Sequence, residues 1–210
     1  MVYFGYIGYT ISNIMNQKTF ILIGRSGCGK GTQGKLLTEE LKRLDPSREV
    51  MYLQSGAEFR KFVQGESHTS KLSKEIQDVG GLQPEFLAVY MWVNFLVQNF
   101  KGTENVIMDG MPRKFHEAGV LESIWDFYKI PKPIVIHLAV SKKWSIDRLM
   151  NRGRADDNRE EIEERVAWYE TDVVPTIEYY RTTPGYTFVE VNGERSIEEV
   201  WEDLKKSLKL

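Results

Sequence analysis

The chain is poor in cysteine, in histidine and in net charge. Its 210 residues hold one cysteine, Cys28, so neither a disulfide framework nor a Cys-x-x-Cys zinc pair can form. A reducing cytoplasm is the simplest setting for such a chain. Lys and Arg number 28 against 30 Asp and Glu, a formal charge of −2. That argues against a broad nucleic-acid-binding face and leaves only local basic clusters open. The three histidines are scattered. They read as one core residue, His137, and two surface residues, His68 and His116, rather than a metal site. No apolar run reaches the roughly 20 residues that a bilayer span needs; the best candidate, Phe86 to Val97, is interrupted by Asn94. The first fourteen residues are rich in Tyr and Ile but lack the basic start of a signal peptide, and no A-x-A-like site follows. Residues 1–17 are therefore expected to be an N-terminal extension to one domain spanning 18–210.

Apolar residues make up 41% and charged residues 28%, which fits a globular chain rather than a disordered one. A chain of this length buries roughly 70% of the surface its unfolded form exposes, so it needs no staple. Short apolar runs alternate with segments of helical period. Thr19–Ile23, Val50–Leu53, Val106–Met108, Ile134–Val140 and Tyr186–Val191 read as strands. Between them, Lys30–Leu44, Glu85–Phe100, Phe115–Tyr128, a segment from Ser141 to Arg152 and a long segment after residue 158 read as helices. Pro175 is expected to kink that last segment without ending it. Ser196 is expected to cap a final helix with Ile197, Val200, Trp201 and Leu204 inward. Strands alternating with helices imply an α/β fold, a five-stranded parallel sheet covered on both faces. Glu58–Val63 and Ser70–Val79 are two polar helices with no strand between them, and read as a flap inserted at about 54–83.

The strongest chemical signal is Gly24-Arg25-Ser26-Gly27-Cys28-Gly29-Lys30, which matches G-x-x-x-x-G-K between a buried strand and an amphipathic helix. The glycines let backbone N–H groups turn toward a phosphate chain, the helix presents its positive end, and Lys30 reaches the phosphate oxygens. Cys28 reads as filler of a small slot in this loop. Lys30 is followed by Gly31 and only then by Thr32, so the usual hydroxyl ligand to magnesium is displaced by one. That disfavours GTPases and motor ATPases. Gly110 after Asp109, where nucleic-acid-dependent ATPases place a glutamate, disfavours those as well.

The run Gly27-Cys28-Gly29-Lys30-Gly31-Thr32-Gln33 resembles the adenylate kinase branch of nucleoside monophosphate kinases. Four further stretches agree with it in order. Ser55-Gly56-Ala57-Glu58-Phe59-Arg60 is similar to the family's acceptor-site motif, and Asp109-Gly110-Met111-Pro112-Arg113 to its D-G-[FY]-P-R signature. Arg148 to Asn158, with Arg165 a helix further on, resembles the lid of short-lid members, here about 148–165. Asn192-Gly193, followed by Arg195, resembles the turn beside the donor adenine. The resemblance runs from Lys18 to Leu208.

It implies a P-loop α/β/α fold with a helical monophosphate-binding insertion and a short lid without zinc. The implied reaction is ATP plus AMP giving two ADP, reversibly, by a monomer in the cytoplasm, with Mg2+ as cofactor and neither membrane nor nucleic acid as partner. Gly27, Cys28, Gly29, Lys30, Gly31, Thr32, Arg148 and Arg195 would bind ATP. Ser55, Arg60, Gly81, Leu82, Gly110, Arg113 and Glu117 would bind the monophosphate. Lys30, Arg113, Arg152, Arg154 and Arg165 would carry catalysis by clamping the transferring phosphoryl group, whose charge spreads over three oxygens. Asp109 would hold magnesium through water, and Asp156 and Asp157 would pair with lid arginines. No general base is required beyond the acceptor's own phosphate oxygen.

Glu117 departs from the pattern, because AMP-specific members carry a glutamine there that reads the adenine. An amide both donates and accepts, whereas a carboxylate only accepts. It would repel the adenine N1 lone pair and suit the N–H edge of guanine or the amine of cytosine. GMP or CMP is thus the alternative acceptor, unless Glu117 faces solvent. Ala57 replaces the usual Asp or Glu near the phosphates, and Met111 the usual aromatic. Together Ala57 and Glu117 leave open a weakly active nucleotide-binding regulator derived from such a kinase.

Overall fold

A computed structural model describes residues 17–153 and 158–210. The elements are β1 (Thr19–Ile23), α1 (Lys30–Leu44), β2 (Val50–Gln54), α2 (Ser55–Phe62), α3 (His68–Asp78), α4 (Glu85–Asn99), β3 (Asn105–Asp109), α5 (Phe115–Tyr128), β4 (Ile134–Ala139), α6 (Lys142–Met150), α7 (Arg159–Trp168), α8 (Val174–Thr182), β5 (Thr187–Asn192) and α9 (Ile197–Leu208). A π turn, Tyr169–Val173, joins α7 to α8. The five strands form one parallel sheet in the order β2-β3-β1-β4-β5. Among the described residues no helix is long and apolar enough to cross a membrane.

Strand β1 shows why the fold has three layers. All five of its residues are buried, and the strand's period of two sends alternate side chains to opposite faces. Phe20 and Leu22 pack with Leu37 and Leu41 of α1 and Val200 and Leu204 of α9. Ile21 and Ile23 pack with Trp92 of α4, Leu121 of α5 and Tyr180 of α8. Burying each such side chain contributes about 1.5–3 kcal/mol. The edge strands are less apolar, as their position allows. Strand β2 buries only Met51 and Leu53, and β5 buries Val191 while Thr187, Glu190 and Asn192 are exposed.

Four helix starts, at Ser67, Ser141, Asn158 and Ser196, carry a side-chain cap. The Ser141 hydroxyl accepts from the Trp144 N–H, and Ser196 forms a reciprocal capping box with Glu199. Two sequence expectations are corrected and one is sharpened. Helix α2 begins at Ser55, directly from the end of β2, rather than at Glu58. The long segment after residue 158 is helical throughout, as expected, and its disturbance takes the form of a π turn. The Val174 N–H reaches the Tyr169 carbonyl, a π-type bond, and Pro175 sits in the first turn of a new helix. Proline lacks the N–H that would continue the ladder, and the wider turn before it makes room for its ring. Finally, Val200 and Leu204 of α9 are buried, but Ile197 is 41% exposed and Trp201 only partly buried. Ile197 is the first residue of its helix and stands at the rim of the cleft described next.

Candidate active site

Parallel strands deliver their carboxyl ends to one edge of the sheet, and a ligand crevice forms where the connections diverge. Here that point is β1, flanked by β3 and β4. A cleft of about 980 Å³ opens there.

The loop after β1 forms its floor. Gly27 and Gly29 have positive φ, which side-chain-bearing residues rarely adopt. Lys30 opens α1, and its Nζ donates to the carbonyls of Gly24, at 2.7 Å, and Arg25, at 2.9 Å. The ammonium is thus held by the loop that surrounds it. Gly31 has a steric reason: a Cβ there would lie 3.1 Å from Gln54 Nε2. Gly27, Gly29, Lys30, Gly31 and Thr32 all line the cleft. The Cys28 side chain does not. It is buried with Leu37 and Leu138 in the α1/α9 core.

Asp109 ends β3, level with Gln54 of β2. Its Oδ2 accepts from Tyr52 Oη at 2.8 Å and from Gln54 Nε2 at 2.7 Å. Burial first, then the negative charge of Asp109, push the Tyr52 hydroxyl pKa up, so it remains a donor. Among the described residues no three His, Cys, Asp or Glu gather as a metal cage. Glu58, beside Ala57, pairs with Lys61 at 2.8 Å. A lone carboxylate at the end of β3, with no metal cage around it, suits magnesium, which keeps most of its water and relies on phosphate oxygens.

Around this floor stand cations from four segments: Arg60 on α2, Arg113 after β3, Arg148 and Arg152 at the end of α6, and Arg165 on α7. Arg113 Nε donates to the Gly110 carbonyl at 3.0 Å, its Nη2 reaches Ser55 Oγ at 3.5 Å, and its guanidinium lies 5.2 Å from the Trp168 ring centroid. Burial pulls Arg113 below its ordinary pKa, helped by the positive charges of Arg165 and Arg60 and opposed by Glu117 and Asp109. Arg165 Nη2 pairs with Glu161 at 3.0 Å, both side chains being nearly buried. Positive charges that crowd one cleft in an acidic chain call for a polyanion to neutralise them.

Glu117 lies outside the cleft, in a recess beside it lined also by Leu82, Gln83, Trp92 and Arg113. It does not face solvent, being 2% exposed. It occupies the third position of α5 and its Oε2 accepts the Arg113 N–H at 2.9 Å. Burial raises its pKa, against the pull of the Arg113 N–H and charge. Gln83 is locked against Ser73 by two hydrogen bonds of 2.9 Å, whereas the buried indole N–H of Trp92 has no partner among the described residues.

Gly81 and Gly110 also line the cleft. Arg195 is not among the cleft's residues; it precedes α9 and pairs with Asp203 of that helix. Arg154, Asp156 and Asp157 lie outside the described residues. Tyr52, Gln54 and Trp168 line the cleft without having been expected there. The period of two along β2 was the available signal for the first pair, since it puts Tyr52 and Gln54 opposite Met51 and Leu53. His137 is a satisfied core residue, with Nδ1 2.8 Å from Glu190 and Nε2 3.3 Å from the Tyr169 hydroxyl.

The family model for adenylate kinase matches residues 22–184 of this chain, from β1 to the turn before β5. The chain belongs to the adenylate kinase family. It is similar to an adenylate kinase of Azobacteroides pseudotrichonymphae, 31% identical over 193 residues, covering 89% of this chain and 95% of that protein. It is 30% identical over 181 residues to an adenylate kinase of Corynebacterium aurimucosum, covering 86% and 93% of the two chains. An adenylate kinase 1 of a Nostoc species is 30% identical over 188 residues, covering 90% and 97%. The adenylate kinase match thus spans the glycine-rich loop, residues 54–83 and the arginine-bearing segments together.

Proposed function

We propose that this chain transfers the γ-phosphoryl group of Mg·ATP to a nucleoside monophosphate, with AMP as the acceptor, and runs the reaction in reverse from two ADP. The observation that carries this reading is the convergence of Lys30 and arginines from four segments on one cleft beside a glycine-rich loop. Phosphoryl transfer asks little covalent chemistry of a protein and much positioning and charge. In this reading Lys30 leaves the Gly24 and Arg25 carbonyls for the donor phosphates. Arg60 and Arg113 hold the acceptor phosphate, and Ser55 steadies Arg113. Arg152 and Arg165, with Arg154, close on the transferring group, and Arg148 lies over the donor adenine. Bound magnesium would neutralise charge between donor oxygens; Asp109, oriented by Tyr52 and Gln54, is the residue to hold it through water. The flap at about 54–83 and the lid at about 148–165 exclude water, which would otherwise turn transfer into hydrolysis. A monomer working in the cytoplasm is the simplest form of this enzyme.

A second reading changes the acceptor alone, to GMP or CMP; the recess, now about 10 Å³, must open to admit a base, and the polar groups that would then meet it support this reading. An ionised Glu117 accepts from N–H edges, and the unpartnered Trp92 indole N–H suits a base carbonyl or ring nitrogen. A coupled assay with Mg·ATP and each of AMP, GMP, CMP and UMP tests both. Transfer to AMP above all others supports the first reading, transfer to GMP or CMP the second, and transfer to none sinks both. Two adenosines joined by five phosphates should also raise the melting temperature by linkage. Unchanged melting at saturation counts against adjacent nucleotide sites.

A further inference from the structure

Arg25 lies in the phosphate loop, yet its side chain works outside it. Nε donates to the Val140 carbonyl at 3.2 Å, just beyond β4. Nη2 pairs with Glu170. The guanidinium lies 4.1 Å from the Tyr169 ring centroid. Tyr169 and Glu170 open the π turn, and Arg165 stands four residues before Tyr169, on the same face of that helical run. The Arg25 main-chain carbonyl, meanwhile, accepts from Lys30 Nζ. One residue therefore touches the cleft lysine with its backbone and the segment bearing a cleft arginine with its side chain.

The far end is anchored. Tyr169 is 5% exposed. Its hydroxyl meets His137, His137 meets Glu190, and Glu190 also accepts from Arg181 Nη2 at 2.5 Å. Stability alone is a poor reason for this arrangement. The Glu170 side chain is 53% exposed, and ion pairs open to water contribute little. The Arg25 Nη1 is buried without a hydrogen-bond partner among the described residues, which costs free energy that a small residue at this position would avoid.

We propose that Arg25 is a positioning residue, a strut that sets the distance and angle between the phosphate loop carrying Lys30 and the helical run carrying Arg165. The proposal rests on the phosphoryl-transfer reading. The strut fixes the two backbone segments that carry the cations relative to each other before nucleotide arrives, so that only the side-chain ends of Lys30 and Arg165 turn onto the transferring group.

Steady-state kinetics of Arg25→Ala, Glu170→Ala and the double variant test it, alongside their melting temperatures. Misplacing a catalytic group by about 1 Å can cost about 100-fold, so kcat is expected to fall by roughly 10- to 100-fold in Arg25→Ala. KM for each nucleotide should stay within about threefold, because the groups that bind substrate remain. Glu170→Ala alters a half-exposed side chain, folds, and should lose kcat in the same direction. The double variant should be no slower than Arg25→Ala, since both changes break one connection. Arg25→Lys keeps the charge but not the planar fork over Tyr169, and should recover only part of kcat. A wild-type kcat in Arg25→Ala overturns the strut. So do losses that add fully in the double variant, or a raised KM for ATP at unchanged kcat. A wild-type enzyme that transfers to no monophosphate overturns the phosphoryl-transfer reading first, and the strut with it.

Discussion

The glycine-rich loop after β1 and the recess around Glu117 both adjoin the cleft and are built by different means. The loop presents mainly backbone: glycines at positive φ, carbonyls that hold Lys30, and the start of a helix. Contiguous residues build it, so its chemistry is nearly independent of what packs around it. The recess presents side chains from separate segments: Phe59 of α2, Gln83 before α4, Trp92 within α4 and Glu117 of α5. Its character depends on which atoms are already occupied, such as Gln83 by Ser73 and one Glu117 oxygen by the Arg113 N–H. A backbone site is durable across sequences, whereas a side-chain site changes specificity with one substitution.

The largest effect is expected at the loop. Lys30→Ala should fold and melt near the wild type while kcat falls by about 10²–10³-fold, the loss typical of one electrostatic contact to a transition state. Retention of a tenth or more of turnover would mean that the cleft's chemistry lies elsewhere.

The recess should respond in specificity rather than in rate. Glu117→Gln restores a donor toward the adenine N1. The acceptor ratio of kcat/KM, AMP over GMP, should rise by roughly ten- to a hundredfold, the worth of one hydrogen bond involving a charged group, about 1.5–3 kcal/mol. KM for ATP should not move. Unchanged ratios for AMP, GMP and CMP would show that Glu117 serves the Arg113 backbone alone.

The seam between the turn after α3 and helix α7 gives a third test. A Cβ on Gly80 would lie 2.4 Å from the Glu161 carbonyl oxygen, and Gly80 has φ +72°. Gly80→Ala is expected to destabilise by about 1–3 kcal/mol through strain, and Trp168, which donates to the Gly80 carbonyl at 3.0 Å, should report the shift in its fluorescence. An unaltered melting temperature would show that the two segments separate freely there.

The smallest effect is a pH dependence. Burial raises the Glu117 pKa above its ordinary 4.5. The folded state then binds that proton more tightly than the unfolded state. The resulting stability is complete below the ordinary value and is lost as pH rises through the folded value. Wild type should therefore lose melting temperature relative to Glu117→Gln as pH rises from about 4.5 toward neutrality. Parallel curves would mean that the carboxylate is ionised in the folded protein without penalty.

Legibility followed the same divide. The five strands and the helices between them were readable, because burial of whole strands leaves continuous apolar runs and helices leave a 3.6-residue period. The edge strands extended a residue past their apolar runs, to Gln54 and to Asn192, because parallel pairing continues wherever a neighbour offers hydrogen-bonding groups. The π turn at Tyr169–Val173 was not readable. Pro175 announced a disturbance, and packing of Tyr169 and Val173 into the core chose its form.

The sequence by itself determined what depends on neighbours along the chain: the phosphate loop, the caps at Ser141 and Ser196, and the arginines held in motifs. Tertiary structure alone decided what depends on neighbours in space. It turned Cys28 away from the cleft, paired Arg195 with Asp203, sealed Glu117 under the Arg113 backbone and joined Arg25 to Tyr169 and Glu170 across 145 residues. Hydrogen-bonding and charged side chains settle on whichever partner folding brings within about 3 Å, and that choice is made by packing of the sheet and its helices rather than by sequence spacing.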